Sequence, residues 1–406
     1  MAVATIEIRP PETPEELRAA MQAAESAFGG EIEDEDWKRE QKILPIERAL
    51  AAYEHGRPVG FAAAYAFDLT IPGGQLPCAG VTWVGVLPSH RRRGILRDFM
   101  RRQLEDVHRW GEPIAALWAS ESSIYGRFGY GLAAPGLYAD SETARFRLKE
   151  EHGPQASVRL VDKEEAFELF PPIYERVRSA RAGMLTRSET WWKELRLADS
   201  KEWRRGASQK FYAVVEVDAE AEGYATYRVK DEWKDGIPRG EVRVIEAFAT
   251  SVAAAREVWR FLHNIDLTVK VDADSVDPAS PLLLNVRDVR ALGLKYADAL
   301  WLRLVDLEAA LRARSYKPGE SVVLEVTDAL CPWNEGRYRV GDDAGRTEDA
   351  ADLALDTADL AAAYLGAFDF HRLVHAGRAE ERRNGAAEAA TLLFRTDLPP
   401  HCPEVF

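Results

Sequence analysis

A chain of 406 residues is long enough for two to three domains, and 46% hydrophobic with 30% charged residues excludes disorder and fibrous, low-complexity architectures. The 67 acidic against 53 basic side chains leave a net charge of −14, which argues against a nucleic-acid binder and suits a cationic partner. Cys78, Cys331 and Cys402 are too far apart for a disulfide framework or a metal-binding pair, and no apolar run reaches the ~20 residues that cross a bilayer, so a soluble, cytoplasmic protein is expected.

The first helix starts where Thr13 caps, Pro14 takes the first helical position and Glu16 completes a capping box. Leu17, Met21 and Ala24 then keep helical spacing. The acidic run Glu31, Glu33, Asp34, Glu35, Asp36 reads as a solvated face; the alternative is an electrostatic funnel for polycations, walled by Phe28 and Trp37. Strands are predicted at Val59–Leu69 and Val81–Val86, rich in Val, Phe, Tyr and Trp. An amphipathic helix follows from Arg92 to Trp110, with Ile95, Leu96, Phe99, Met100, Leu104 and Val107 on its apolar face, and Gly111 and Pro113 end it. Ile114–Trp118 reads as a buried strand and Ile124–Phe128 as a helical turn, which gives an α/β pattern with one crossover.

His152-Gly153-Pro154-Gln155 reads as a linker, and beyond it the order recurs. A helix at Lys163–Val177 precedes strands at Phe211–Val217, Tyr224–Lys230 and Val242–Ala247. A helix at Val252–Phe261 and a buried strand at Leu282–Val286 complete a structural repeat of the first unit. A third unit begins near Leu302, with strands at Val322–Val326 and Arg337–Val340, helices at Thr357–Leu365 and Gly385–Leu393, and a Pro-punctuated tail from Leu398 to Phe406.

The chemistry concentrates in Val84-Gly85-Val86-Leu87-Pro88-Ser89-His90-Arg91-Arg92-Arg93-Gly94-Ile95. A strand ends, the chain turns, and a helix begins among arginines. The first N–H groups of a helix lack internal partners and carry the positive end of its dipole. Three arginines there repel that dipole, which suggests an anion to offset them, and the turn reads as a pyrophosphate cradle; the alternative is a basic surface turn. His90 reads as a surface residue. After Val242–Ala247 the equivalent turn, Phe248-Ala249-Thr250-Ser251, has neither glycine nor arginine, so the middle unit carries no such cradle. His371 and His375 sit four apart without a third ligand, and no metal site is expected.

Arg91-x-x-Gly94 after a Val-x-Val strand resembles the acetyl-coenzyme-A loop of the GNAT superfamily of N-acetyltransferases, although Leu96 departs from the usual small residue. Ala119-Ser120-Glu121-Ser122-Ser123-Ile124-Tyr125-Gly126-Arg127-Phe128-Gly129-Tyr130-Gly131 resembles the corresponding segment of the Eis (enhanced intracellular survival) family, whose members acetylate aminoglycosides and lysines and tolerate leucine at that position. The likeness runs the length of the chain. It implies an α/β (α+β) fold with a catalytic GNAT domain over residues 1–152, a degenerate GNAT-like domain over 153–300 and a sterol-carrier-like domain over 301–406. It also implies acetyl-coenzyme A as cosubstrate, no metal, a homohexamer and a cationic amine as acceptor.

Carried over residue by residue, the resemblance implies that Val84, Gly85 and Val86 pair with the pantetheine arm. Arg91, Arg92, Arg93, Gly94, Ile95, Leu96 and Arg97 would hold the pyrophosphate, and Ser120 and Glu121 would line the pantetheine channel. Tyr125 would be the general acid and the terminal carboxylate of Phe406 the general base, with Phe28, Trp37 and Glu404 toward the acceptor. From another class, the third unit suggests a non-enzymatic carrier of an apolar ligand. Its charged stretch Ala379–Arg383 and lack of a long apolar lining weigh against that as the main role.

Overall fold

The computed structural model describes residues 6–150 and 154–406. His152 and Gly153 of the expected linker, and the domain boundary placed between them, lie outside the described residues. The chain divides into two compact units: residues up to Ala134 with Ala299–Asp397 and Val405–Phe406, and Pro135–Asp298 with Leu398–Glu404.

In the first unit the elements run β1 (Glu7–Arg9), α1 (Pro14–Ala27), α2 (Asp34–Ile43), β2 (Ala49–Glu54), β3 (Arg57–Ile71), β4 (Gly74–Val86), α3 (Ile95–Arg109), β5 (Ile114–Trp118) and α4 (Ser122–Tyr125). Thr13 caps α1 as expected, accepting from the Glu16 N–H at 3.2 Å, but Glu16 returns its carboxylate to Glu12 N and Arg9. The two short strands expected around residues 59–69 and 81–86 are longer, and form one hairpin paired from Gly60↔Val86 to Ile71↔Gly74. Strands β1 to β5 lie in chain order. All neighbours are antiparallel except β4 and β5, which α3 connects as a parallel pair. The face of α3 read from its spacing is the buried one: Ile95, Phe99, Met100, Leu104 and Val107 pack with Ala62, Ala64, Val81 and Leu117. Each such large side chain contributes ~1.5–3 kcal/mol on burial.

A sixth strand closes this sheet from far along the chain. Lys295–Leu304 pairs antiparallel with β5, from Leu300↔Trp118 to Leu304↔Ile114. The third predicted unit therefore begins inside the first sheet. The remainder of residues 307–394 forms a five-stranded sheet with helices, among them Thr357–Tyr364 and Ala386–Phe394. At its base Arg303 and Asp328, both fully buried, pair at 2.7 and 2.8 Å, and Asn334 also donates to Asp328. Removing one partner of such a pair leaves an uncompensated charge, a loss of ~3–5 kcal/mol.

The second unit repeats the plan. Ala156–Val161, Phe211–Val217, Glu220–Lys230, Gly240–Ala249 and Thr268–Val276 lie in chain order, the last two parallel and joined by the helix Val252–His263. Its sixth strand is Gly131–Glu142, which pairs antiparallel with Thr268–Val276. The buried strand expected at residues 282–286 is a short helix, Leu282–Asn285, which Pro281 precedes and in which Leu284 is 78% exposed. The strand is Thr268–Val276, whose alternating charges hide it from a search for apolar runs.

Candidate active site

Strands β4 and β5 pair only over Cys78↔Ile114, Ala79↔Ala115 and Gly80↔Ala116. Beyond Gly80 they part, because β4 carries a bulge. Thr82 faces Ala63 and Gly85 faces Phe61, so β4 holds one residue more than β3 over the same span. Trp83 sits in that bulge at φ +57°, a conformation unfavourable for a bulky side chain. Along residues 81–86 the β5-facing edge of β4 has no strand partner among the described residues. That edge offers backbone donors and acceptors to an extended ligand.

The parted strands open a cleft of about 570 Å3 lined by Val84, Gly85, Val86, Arg91, Arg92, Gly94, Ile95, Leu96, Arg97, Ser120, Glu121, Tyr125 and Phe28. These thirteen are among the residues expected from the sequence. Arg93, Trp37, Glu404 and Phe406 do not line it. Gly85 is small because α1 crosses it: a Cβ there would fall 2.8 Å from Ala24 Cα.

At the start of α3, Gly94 adopts φ +88°, which a residue with a Cβ seldom takes. The first bond within the helix is Asp98 N–H to the Gly94 carbonyl at 3.0 Å, and no side chain among the described residues caps the end. The amides of Ile95, Leu96 and Arg97 are thus left to a ligand. The second unit differs at the matching place, where Ser251 caps its own helix by accepting from Ala254 N–H. That end already has its acceptor.

The arginines divide by role. Arg91 bonds the carbonyls of Val86 and Ala27 and braces the turn against α1. Arg93 turns to Glu54 at 2.6 Å, and Glu54 also meets His90 at 2.8 Å; these partners, Arg93 foremost, hold the Glu54 carboxyl down at about 2. Arg92, at φ +63°, is exposed and makes no side-chain bond among the described residues. Of the three, Arg92 is free to meet an anion.

Tyr125 ends α4 against the cleft, 5% exposed, edge-on to Tyr130 with ring centroids 5.9 Å apart. Burial, with the charge of Glu121 adding, pushes its hydroxyl up to about 12, so it stays protonated at neutral pH. Its hydroxyl makes no hydrogen bond within the protein among the described residues. Residues that sequence reasoning missed are Ala27, His90, Ile124, Arg127, Phe128 and Leu330. His90 reads from sequence as a surface residue but lines the cleft, and Leu330 comes from beyond residue 300, where no local signal points to it.

Phe406 packs its ring edge-on to Phe67, 5.3 Å between centroids, and lies over Gly80, whose added Cβ would meet Phe406 Cε2 at 3.2 Å. Gly80 is the last residue of β4 to pair with β5. Val405 is exposed, so of the final two apolar residues only Phe406 is packed. Glu404 is not an exposed acceptor contact. In the second unit its buried carboxylate is bound by Arg187 and the Trp191 indole, each at 2.7 Å, and by Arg196 at 3.4 Å. The acidic run starts α2, where Asp34, Glu35 and Asp36 suit the helix dipole, Asp34 pairs with Arg18 at 2.6 Å and Asp36 pairs with Arg39. Glu31 and Glu33 remain exposed. No helix among the described residues is long and apolar enough to cross a membrane.

Comparison with known proteins agrees with this geometry. Residues 7–133 and 183–304 each match an acetyltransferase (GNAT) domain model, and 307–403 match a sterol carrier protein domain. An uncharacterized N-acetyltransferase of Streptomyces avermitilis is 42% identical, over 94% of this chain and 95% of its own. The N-acetyltransferase Eis of Mycobacterium tuberculosis is 35% identical, over 88% of this chain and 89% of its own. The crystal structure of Eis1 from Mycobacterium abscessus superposes with a TM-score of 0.85 at 33% identity, covering 99% of this chain and all of that one. With two GNAT units, one sterol-carrier unit and 33–42% identity to these relatives over most of its length, the chain belongs to the Eis-type N-acetyltransferases of the GNAT superfamily.

Proposed function

We propose that the protein uses acetyl-coenzyme A to acetylate primary amines of polycationic small molecules, of the aminoglycoside kind, or of lysine side chains. The observation that carries this reading is the pairing of a free strand edge at residues 81–86 with an uncapped helix N-terminus at Gly94. A pantetheine arm and a pyrophosphate need those two features, and the residues fit them. Bound there, acetyl-coenzyme A supplies the acetyl group as an activated thioester. The chain's own residues do the rest.

Val84 and Val86 would hold the arm by backbone bonds, while Arg92 and the amides of Ile95, Leu96 and Arg97 would meet the pyrophosphate. Tyr125 would act as the acid toward the departing sulfur. With its hydroxyl near 12 against a thiol reference near ~8.5, Tyr125 stabilises the developing thiolate chiefly as a hydrogen-bond donor. The terminal carboxylate of Phe406 would accept the amine's proton, directly or through one water. Phe28 and Trp37 would wall the acceptor side. The family resemblance extends the proposal to a cytoplasmic homohexamer and to three domains over residues 1–152, 153–300 and 301–406.

A panel of amines assayed for acetyl-coenzyme-A turnover tests the reading, with aminoglycosides and polyamines expected to rank above neutral monoamines. Rates equal across the panel would remove the polycation assignment. Two further outcomes are expected. Arg92→Ala raises the Michaelis constant for acetyl-coenzyme A by ~10- to 100-fold, the loss of a charge-assisted contact of ~1.5–3 kcal/mol, whereas Arg93→Ala, already engaged by Glu54, has the smaller effect. The reverse ranking would reassign the cradle. If the exposed acids Glu31 and Glu33 steer cationic acceptors, kcat/KM falls steeply as salt shortens the screening length to ~8 Å. A flat salt profile would make the run an ordinary solvated face.

A further inference from the structure

Glu40 lies on α2, outside the cleft, and is buried. Its Oε2 accepts from the Tyr65 hydroxyl at 2.9 Å, and the Trp83 indole N–H donates to the same Tyr65 oxygen at 3.3 Å. Tyr65 stands on β3 opposite Gly80, where β4 makes its last pair with β5, and Trp83 is the left-handed residue of the β4 bulge. A side chain on the acidic helix is thus tied through one phenol to the residue that turns Val84 and Val86 toward the cleft.

We propose that Glu40 is a positioning residue for acetyl transfer: acting through Tyr65, it holds Trp83 in the bulge and so sets the strand edge that receives the cofactor. The proposal rests on the acetyl-coenzyme-A reading above and deepens it. Its physical basis is the cost of the bulge. A bulky residue at positive φ persists only where its surroundings over-determine it, at ~1–3 kcal/mol. A charged acceptor makes the stronger hydrogen bond, so the Tyr65 oxygen, polarised by a carboxylate, becomes the better acceptor for the indole.

The strut is also titratable in the working range. Burial pushes the Glu40 carboxyl up to about 7, against the Tyr65 bond, the Arg39 charge and the Trp83 N–H, which pull it down; Asp36 adds to the rise. Above that pH the ionised form grips Tyr65. Below it the neutral acid grips less.

The test compares wild type with Glu40→Gln and Tyr65→Phe by calorimetric coenzyme A binding and by initial acetylation rates, each across pH ~6 to ~8.5. Glutamine matches the neutral acid, so the Glu40→Gln/wild-type ratio of coenzyme A affinity and of kcat/KM is expected near 1 at the acid end. It should fall ~10-fold as pH rises through about 7. Taking the ratio cancels the ionisation of amine and phosphates, which both proteins share. A purely structural lesion lowers the ratio equally at every pH. A ratio flat with pH, at any level, overturns the proposal. Tyr65→Phe removes the relay hydroxyl and keeps the ring; its ratio should step at the same pH, and it carries the test if Glu40→Gln does not fold. A wild type that binds coenzyme A with this step but acetylates no amine would sink the transfer reading and leave the strut standing. A wild type that acetylates amines with a flat ratio would do the opposite.

Discussion

Deleting Phe406, or extending the chain with a C-terminal tag, is expected to abolish acetyl transfer while coenzyme A binding and the folded state persist. A terminus is ordinarily frayed and tolerant of change. This one is tied: residues 400–404 are buried, Glu404 is held by Arg187, Trp191 and Arg196, and the Phe406 ring packs on Phe67 over Gly80. Pro399, Pro400 and Pro403 stiffen the approach by fixing φ. The Phe406 ring packs beside Gly80, the last residue of β4 to pair with β5, and if its carboxylate is the general base, its loss lowers rates by ~100- to 10,000-fold. A free carboxylate with a reference pKa near ~3.5 is a weak base, so desolvation by the bound acceptor must raise it. Phe406→Ala keeps the carboxylate and loses only its anchor, so it should be milder than deletion. Turnover and isothermal coenzyme A binding, measured on the tagged and untagged proteins, decide it. Full activity with a tag would send the search for the base to Glu121 or ordered water.

Replacing Tyr125 by phenylalanine is expected to cut turnover ~100-fold or more, equivalent to ~2.7 kcal/mol of barrier, with coenzyme A affinity nearly unchanged. The ring that packs against Tyr130 is retained, and the hydroxyl that makes no bond within the protein among the described residues is removed, so stability should hardly move. Because burial keeps that hydroxyl near 12, its ionisation contributes no basic limb to the wild-type profile at neutral pH. Near-normal turnover in the variant would reduce Tyr125 to a packing residue. A parallel rise in the dissociation constant for coenzyme A would make it a binding residue instead.

The sequence by itself determined what is local. Helix α3, its buried face and its uncapped start were legible because a 3.6-residue period, a glycine and a cluster of arginines lie within a few positions of each other. The strands and helix of the repeat were legible for the same reason, but not its closing strand Thr268–Val276, and the Tyr125 segment was legible through its family resemblance; the turn of the middle unit, without glycine or arginine, is one where Ser251 caps its own helix. Tertiary structure decided what depends on partners distant in the chain. Which strand completes which sheet has no local signature: Lys295–Leu304 closes on β5 and Gly131–Glu142 on Thr268–Val276, because each free edge needs a partner and any strand of suitable register satisfies it. The division of labour among Arg91, Arg92 and Arg93 turns on the positions of Ala27 and Glu54, which adjacency in sequence cannot reveal. The β4 bulge was hidden too, since Trp83 at positive φ contradicts its own local preference and is tied to Tyr65 and Glu40 from two other elements.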